Sequence, residues 1–218
     1  MKAKWKQVCA LILCLALLVG ALTACGGSID ASAFTEQALS ARFTGESDES
    51  YKELANLNDT TAEEAYEQVL QDEADYFAEY FDINLELCSE ETRDKIVSMY
   101  RTLLAKASYQ VGVSTPSGEG YLVSVTIAPM DIVQRIRDEK WDSFQQDWIG
   151  DYADLYEMDE QELEQTWADR ILEMFDGYLS KVDYLEEETI SIQITRNDGA
   201  YVISDTDIQR IDTLVIKY

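Results

Sequence analysis

The chain contains no histidine. Carboxylates, aromatic rings and a few thiols are therefore the side chains whose spacing could indicate a catalytic or binding site. Histidine is the usual general base near neutral pH and the commonest protein ligand of transition metals. Its absence excludes Ser-His-Asp and Cys-His catalysis and the commonest zinc and iron sites. We therefore predict no catalytic residue, no metal site and no cofactor.

The acidic residues form two local clusters that could hold a cation. Asp147, Asp151 and Asp154 lie around Gly150, and residues 186–188 are consecutive glutamates. Calcium prefers such oxygen ligands, but neither cluster has the spacing of an EF-hand loop. We favour a solvated acidic surface over a calcium site. A hydrolase that uses carboxylates alone would need two of them at a fixed separation in a cleft, which chain spacing does not show.

Aromatic residues recur at helical spacing beside the first acidic cluster. Trp148, Tyr152 and Tyr156 follow one another at intervals of four residues. Core packing is the ordinary explanation of such spacing. Because acidic residues and a glycine interrupt this stretch, the three residues are also a candidate groove for a peptide, a glycan or another ligand.

The first residues have the pattern of an export signal. Lys2, Lys4 and Lys6 precede an apolar run at residues 8–21. This run is shorter than the ~20 residues that a membrane-spanning helix needs, and small residues follow it. A secretory signal is therefore favoured over an uncleaved membrane anchor, which stays the alternative.

A short motif ends this segment, where Leu22, Thr23 and Ala24 precede Cys25. The motif resembles the lipobox of bacterial lipoproteins. The resemblance implies that diacylglycerol is attached to the Cys25 thiol and that residues 1–24 are removed as a signal peptide. Two acyl chains anchor a protein stably, and residues 26–28 (Gly-Gly-Ser) would form a flexible tether. We expect the extracytoplasmic face of the cell membrane, in a Gram-positive cell by preference.

Composition limits the possible partners of the exported part. All 43 acidic residues follow Cys25, whereas three of the 17 basic residues precede it, so residues 25–218 have a formal charge of −29. This charge disfavours nucleic acid and anionic lipid headgroups as partners. The 46% hydrophobic content and two prolines are typical of a globular protein. Cys88 is the one cysteine left besides Cys25, and we interpret it as a small apolar residue.

Apolar residues at helical spacing predict helices at 31–42, from Thr60 to about Phe81, after Ser89, at 130–148 and at 159–181, with a further turn near 51–57. Thr60 and Thr61 stand three residues before Glu63 and Glu64, which predicts a capping box.

The period changes to two at residues 109–113 and 121–127, and again at 190–194 and 201–203. Turn sequences lie between the members of each pair, including the Asp198-Gly199 step, so two β-hairpins are predicted. Residues 214–216 could add an edge strand or pack as an apolar tail.

Two stretches of the chain resemble each other. Residues 99, 100, 104, 106 and 109 have similar residues 75 positions later, and residues 131–136 echo 207–211. Asp131 and Asp207 open these last segments as predicted N-caps. We predict a lipidated, polar helical lead-in at 25–60 and an α+β domain at 61–218, duplicated at about 90–136 and 165–211.

The predicted fold is α+β, with both hairpins in one antiparallel sheet that helices cover on a single face. This layout, together with Leu22 to Cys25, resembles the uncharacterised lipobox lipoproteins of Gram-positive bacteria. The exported regions of these proteins carry domains of unknown function, so the resemblance brings no catalytic residues with it. Our leading hypothesis is a membrane-anchored, non-enzymatic domain that binds an unknown protein or small ligand at the cell envelope. The alternatives are an accessory or structural subunit of an envelope complex and, less favoured, a carboxylate hydrolase.

Overall fold

The structure is a computed structural model that describes residues 29–151 and 155–218. The export signal, Cys25 and Tyr152 lie outside these residues. In the described residues, the helices are α1 (Ala31–Thr44), α2 (Glu49–Leu54), α3 (Asp59–Tyr80), α4 (Glu90–Leu104), α5 (Ile132–Glu139), α6 (Trp141–Gly150), α7 (Glu160–Leu179) and α8 (Asp205–Val215). The strands are β1 (Ser108–Ser117), β2 (Gly120–Ala128), β3 (Glu188–Asn197) and β4 (Ala200–Ile203). Among the described helices, none has the length and apolarity to cross a membrane.

The four strands form one antiparallel sheet in the order β1-β2-β3-β4. Each hairpin supplies two neighbouring strands, and β2 pairs with β3 so that Val125 lies opposite Ile190. The tight turn at Asp198 and Gly199 has the positive φ angles that the sequence predicted for it. The predicted α+β class, with both hairpins in a single sheet, is confirmed.

One face of the sheet is buried and the other is open. Val123, Val125 and Ile127 of β2 are at most 1% exposed, and Ile192 and Ile194 of β3 are fully buried beside them. The intervening residues of both strands, which point to the other face, are polar or partly exposed. This alternation shows that the helices cover a single face, as the period-two pattern predicts.

The helical layer has an aromatic core that joins three long helices. Phe77 of α3 lies 5.0 Å from Phe175 of α7 and 6.0 Å from Tyr100 of α4, between ring centroids. All three rings are buried. Edge-on contacts of this kind add to the energy of burial, so they fix how α3, α4 and α7 pack.

The starts of α4 and α7 agree with the sequence predictions, whereas the cap of α3 differs. Ser89 caps α4, and Asp159 caps α7 with Glu162 completing a capping box. The capping box predicted at Thr60 and Thr61 is wrong. Asn58 is the N-cap of α3, because its side chain accepts from Thr61 N while the Thr61 hydroxyl accepts from Asn58 N.

The helix predicted at 130–148 is interrupted. The backbone at Lys140 leaves the helical region, with φ of −129° and ψ of −28°, so α5 and α6 are separate helices.

Residues 214–216 form no edge strand. Leu214 and Val215 end α8, and Ile216 makes a single parallel bridge to Met130.

Asp131 and Asp207 do not act as the predicted helix caps. Asp131 occupies an N-cap position without a capping hydrogen bond, and Ser204 caps α8 instead of Asp207. Both carboxylates are nevertheless buried, at 8% and 7% exposed. Each carboxylate instead accepts a hydrogen bond from a backbone N–H of β3 or of the segment before it.

Asp207 and Arg210 continue the ladder of β3 beyond the end of β4. The Asp207 carboxylate accepts from Gln193 N at 2.9 Å, and Arg210 donates to Ser191 O at 3.3 Å and to Asp207 at 2.9 Å. Because β4 has four residues, it leaves these backbone groups of β3 without a partner strand. The two side chains satisfy them and close the edge.

Asp131 and Arg135 make the corresponding hydrogen bonds to backbone groups of the segment before β3. Asp131 accepts from Asp183 N at 2.9 Å, and Arg135 donates to Lys181 O at 2.5 Å. In both pairs, the aspartate binds the N–H of one residue and the arginine binds the carbonyl two residues earlier. The likeness of residues 131–136 to 207–211 therefore has a shared structural role, while duplication of the chain stays a prediction.

We expect Asp207→Ala to lower the free energy of unfolding by about 3 kcal/mol, because it leaves Gln193 N and Arg210 without their buried acceptor. Denaturant titration measures this loss. Asp205→Ala, at an exposed position of the same helix, is the control and should cost under about 1 kcal/mol. Equal losses in the two variants would contradict the edge-closing role.

Candidate functional site

An apolar cavity of about 290 Å³ lies between the helical lead-in and the end of the chain. Its walls come from α1, α2 and α3 on one side and from β4 and α8 on the other. The lining residues are Phe34, Ala38, Ala41, Arg42, Tyr51, Ala55, Leu57, Ala62, Ala65, Tyr66, Val69, Tyr201, Val202, Ile203 and Ile208. This volume is at the small end of ligand pockets, which measure ~300–1,000 Å³.

The sequence makes this space by combining small residues with aromatic rings. Ala38 and Ala41 on α1, with Ala62 and Ala65 on α3, remove side-chain volume from the walls. Four aromatic rings line the cavity together with aliphatic side chains, and among them Phe34 lies 5.3 Å from Tyr51 and 6.2 Å from Tyr201 between centroids. A flat apolar group in the cavity could therefore contact both rings and alanine methyl groups.

A charged pair joins the two sides of the cavity. Arg42 of α1 donates from Nε to Asp212 Oδ1 at 2.7 Å and from Nη2 to Oδ2 at 2.6 Å. This two-point geometry is the strong form of an arginine–carboxylate pair. Both side chains are mostly buried, so the pair fixes α8 against α1 and leaves Arg42 with its charge already neutralised.

Glu73 of α3 belongs to the same charged group. Burial is the largest cause that raises the pKa of its carboxyl from 4.5 to about 7, and the charge of Asp212 contributes to the rise while Arg42 opposes it. Burial also raises the pKa of Asp212, against the lowering effect of its bond to Arg42. Arg42 is hydrogen-bonded to Asp212 and acts on Glu73 only through its charge, so Glu73 is the carboxyl that titrates near neutral pH.

Tyr100 and Tyr218 lie near Glu73, and their hydroxyl groups are hydrogen-bonded to each other. Burial raises the pKa of both phenols. Tyr218 also packs edge-on against Tyr76 at 4.9 Å and against Tyr80 at 4.8 Å. These phenols are neutral, so they add no positive charge that would oppose the rise in the Glu73 pKa caused by burial.

A second aromatic surface lies over α6 and α7. Trp141 and Phe144 stack at 5.4 Å, and Trp148 meets Trp167 edge-on at 4.9 Å. The Arg170 guanidinium lies 5.2 Å from the Trp148 ring centroid and donates to Asp151 at 2.8 Å. Because α6 has no buried residue, these half-buried rings hold the helix in place.

The predicted groove residues fall in this region. Trp148 is half-buried in the aromatic surface, Tyr156 is 78% exposed, and Tyr152 lies outside the described residues. A ligand groove formed by these three residues stays a prediction. The cavity near Arg42 lies elsewhere in the fold and was not predicted.

The acidic clusters are partly engaged by cations. Asp151 pairs with Arg170, and Glu188 pairs with Lys217 at 2.6 Å. In residues 29–151 and 155–218, no group of three acidic or thiol side chains is placed to hold a metal ion. Cys88 is half-buried, with its thiol 3.9 Å from Glu164 O, and burial raises its pKa.

Sequence reasoning missed Arg42, Glu73 and Asp212. They are separated by up to 170 residues, so no local spacing connects them. One signal was available. Arg42 and Glu73 each fall on the face of a helix that otherwise carries apolar residues, and a charge on such a face calls for a partner.

Comparison with known proteins adds one finding, which concerns the fold. The chain is similar to the crystal structure of a "putative lipoprotein" (ycdA) from Bacillus subtilis, with a TM-score of 0.61 and 16% sequence identity. The likeness covers 87% of this chain and 56% of that protein, so the chain spans little more than half of its length. No family model matches the sequence, and no curated protein matches it.

We expect the stability of the protein to fall as the pH rises from about 4.5 to about 7, because the folded state holds the Glu73 proton more tightly than the unfolded state does. The loss should be about 3 kcal/mol. Glu73→Gln should reduce this pH dependence and raise the melting temperature at pH 8. Glu64→Gln, at an exposed position of the same helix, is the control. Unchanged pH dependence in Glu73→Gln would contradict the assignment.

Proposed function

We propose that this chain is a lipid-anchored extracytoplasmic protein whose folded domain binds a small, largely apolar ligand without chemical conversion. The proposal that the domain binds a ligand rests on the cavity beside Arg42. Its walls are rings and methyl groups, and its charged residue is already paired with Asp212. Such a site favours an uncharged molecule with a flat ring over an ion.

The anchoring part rests on the residues that precede the folded domain. Leu22, Thr23, Ala24 and Cys25 have the lipobox pattern after an apolar signal. The similarity in fold to the Bacillus subtilis protein, itself described as a "putative lipoprotein", supports the same interpretation. The proposed location is the outer face of the cell membrane, with lipid on Cys25 as the attachment.

An accessory subunit of an envelope complex is the second candidate. It is favoured by Ile149 and Tyr156, which are 70% and 78% exposed near a helix that has no buried residue. Exposed apolar side chains of this size often mark contacts with another protein. Crosslinking on intact cells from position 149 would support this function if it captured one partner at a fixed ratio.

We expect Cys25→Ser to move the protein from the membrane fraction to the soluble or uncleaved precursor form, because the acyl chains provide the attachment. Detergent phase partition and the mass of the mature chain measure the change. Cys88→Ser is the matched control and should partition like the parent. A Cys25→Ser protein of mature size that stays with the membrane would rule out lipid anchoring.

We expect Ala38→Leu to weaken binding of a neutral ring compound to the cavity by about tenfold or more, because the added atoms occupy the space beside Phe34 and Tyr51. Naphthalene, followed through the shift of the melting temperature, is a suitable probe. Ala33→Leu, at an exposed position of the same helix, should leave the shift unchanged. Equal shifts in the two variants would exclude the cavity as the binding site.

A further inference from the structure

The open face of the sheet carries no charged side chain. On all four strands, the residues that alternate with the buried ones are hydroxyl, amide, small or aliphatic residues, as at Gln110, Thr115, Leu122, Thr126, Ser191 and Gln193. The chain as a whole is 28% charged and strongly acidic. An extended surface without an acidic residue is therefore a marked exception in this molecule.

The exposed residues of neighbouring strands lie side by side on this face. Strands β2 and β3 place Leu122 opposite Gln193 and Thr126 opposite Thr189, where the two threonine hydroxyls bond at 2.8 Å. No described helix covers these residues, because the helices pack on the other face. The exposed hydroxyl and amide groups can hydrogen-bond to polar groups of a partner without adding charge.

The start of the folded domain lies at the same edge of the sheet. The Ser32 hydroxyl donates to Gly112 O of β1 at 2.9 Å, so the chain enters the domain beside this strand. Ser32 lies seven positions after Cys25 along the sequence, and this stretch spans at most ~25 Å when fully extended. An anchor at Cys25 therefore keeps β1 within ~25 Å of the lipid headgroups.

We propose that the charge-free sheet face is the surface that the domain turns towards the phospholipid headgroups of its own membrane. This inference rests on the proposed lipid anchor at Cys25. Anionic headgroups repel an acidic domain, and the repulsion acts within about 10 Å of the surface. The orientation of least repulsion places the neutral face inward and the acidic helices outward, and the short tether permits it.

Energy transfer from a protein-bound dye to labelled lipid tests this orientation. The full chain is produced in bacteria, purified from membranes with its lipid, and reconstituted into vesicles of phosphatidylcholine and phosphatidylglycerol. In a Cys88→Ser background, a thiol-reactive dye is placed on the sheet face by Ser191→Cys or on α4 by Ser98→Cys. Both positions are exposed, and α4 packs against α3 and α7.

We expect transfer from position 191 to exceed transfer from position 98 severalfold, because the thickness of a domain of this size is ~40 Å. Gln110→Glu with Gln193→Glu should lower transfer from position 191 in these vesicles. Gln146→Glu with Gln161→Glu adds the same charge away from the sheet and should leave it unchanged. Thermal melts verify that each variant is folded.

Equal transfer from the two positions, or stronger transfer from position 98, would overturn the proposal. Formation of a dimer that Gln110→Glu with Gln193→Glu dissociates, with equal transfer from both positions, would assign the face to a second copy instead. Failure of the parent protein to bind vesicles at all would refute the lipid anchor itself, which the Cys25→Ser experiment measures separately. The two failures are therefore distinguishable.

Discussion

The pairing of β2 with β3 is the interaction on which the rest of the structure depends. It joins the two hairpins into one sheet, although 59 residues lie between the end of one strand and the start of the next. Once the strands are paired, Val123, Val125, Ile192 and their neighbours form a continuous apolar face. The helices must cover this face, and their positions follow from it.

The aspartate–arginine pairs then limit where the sheet can grow. Asp207 and Arg210 occupy the backbone groups that β4 leaves free, so another strand cannot add at that point. Two side chains satisfy these backbone groups without the additional residues that a longer β4 would need. It also ties α8 to β3, which holds Ile208 and Asp212 at the cavity.

Local features of the fold could be predicted from sequence, and features that join distant segments could not. The hairpins and the starts of α4 and α7 depend on residues within a few positions of each other. The repeated Asp-Ile segment was recognisable, but its role was misassigned because its partners at 183 and 193 belong to other elements. The interruption at Lys140 was missed because no proline or glycine marks it. The cavity and the group of Arg42, Glu73 and Asp212 require the tertiary fold itself.

The walls of the cavity come from the first and last elements of the domain, and this has a consequence for folding. Arg42 and Asp212 meet across 170 residues, so this contact can form only after almost the whole chain has been synthesised. Contacts of such long sequence separation close late in folding. The cavity would thus be completed as one of the final events of folding, and a prematurely ended chain would lack it even if its first helices folded.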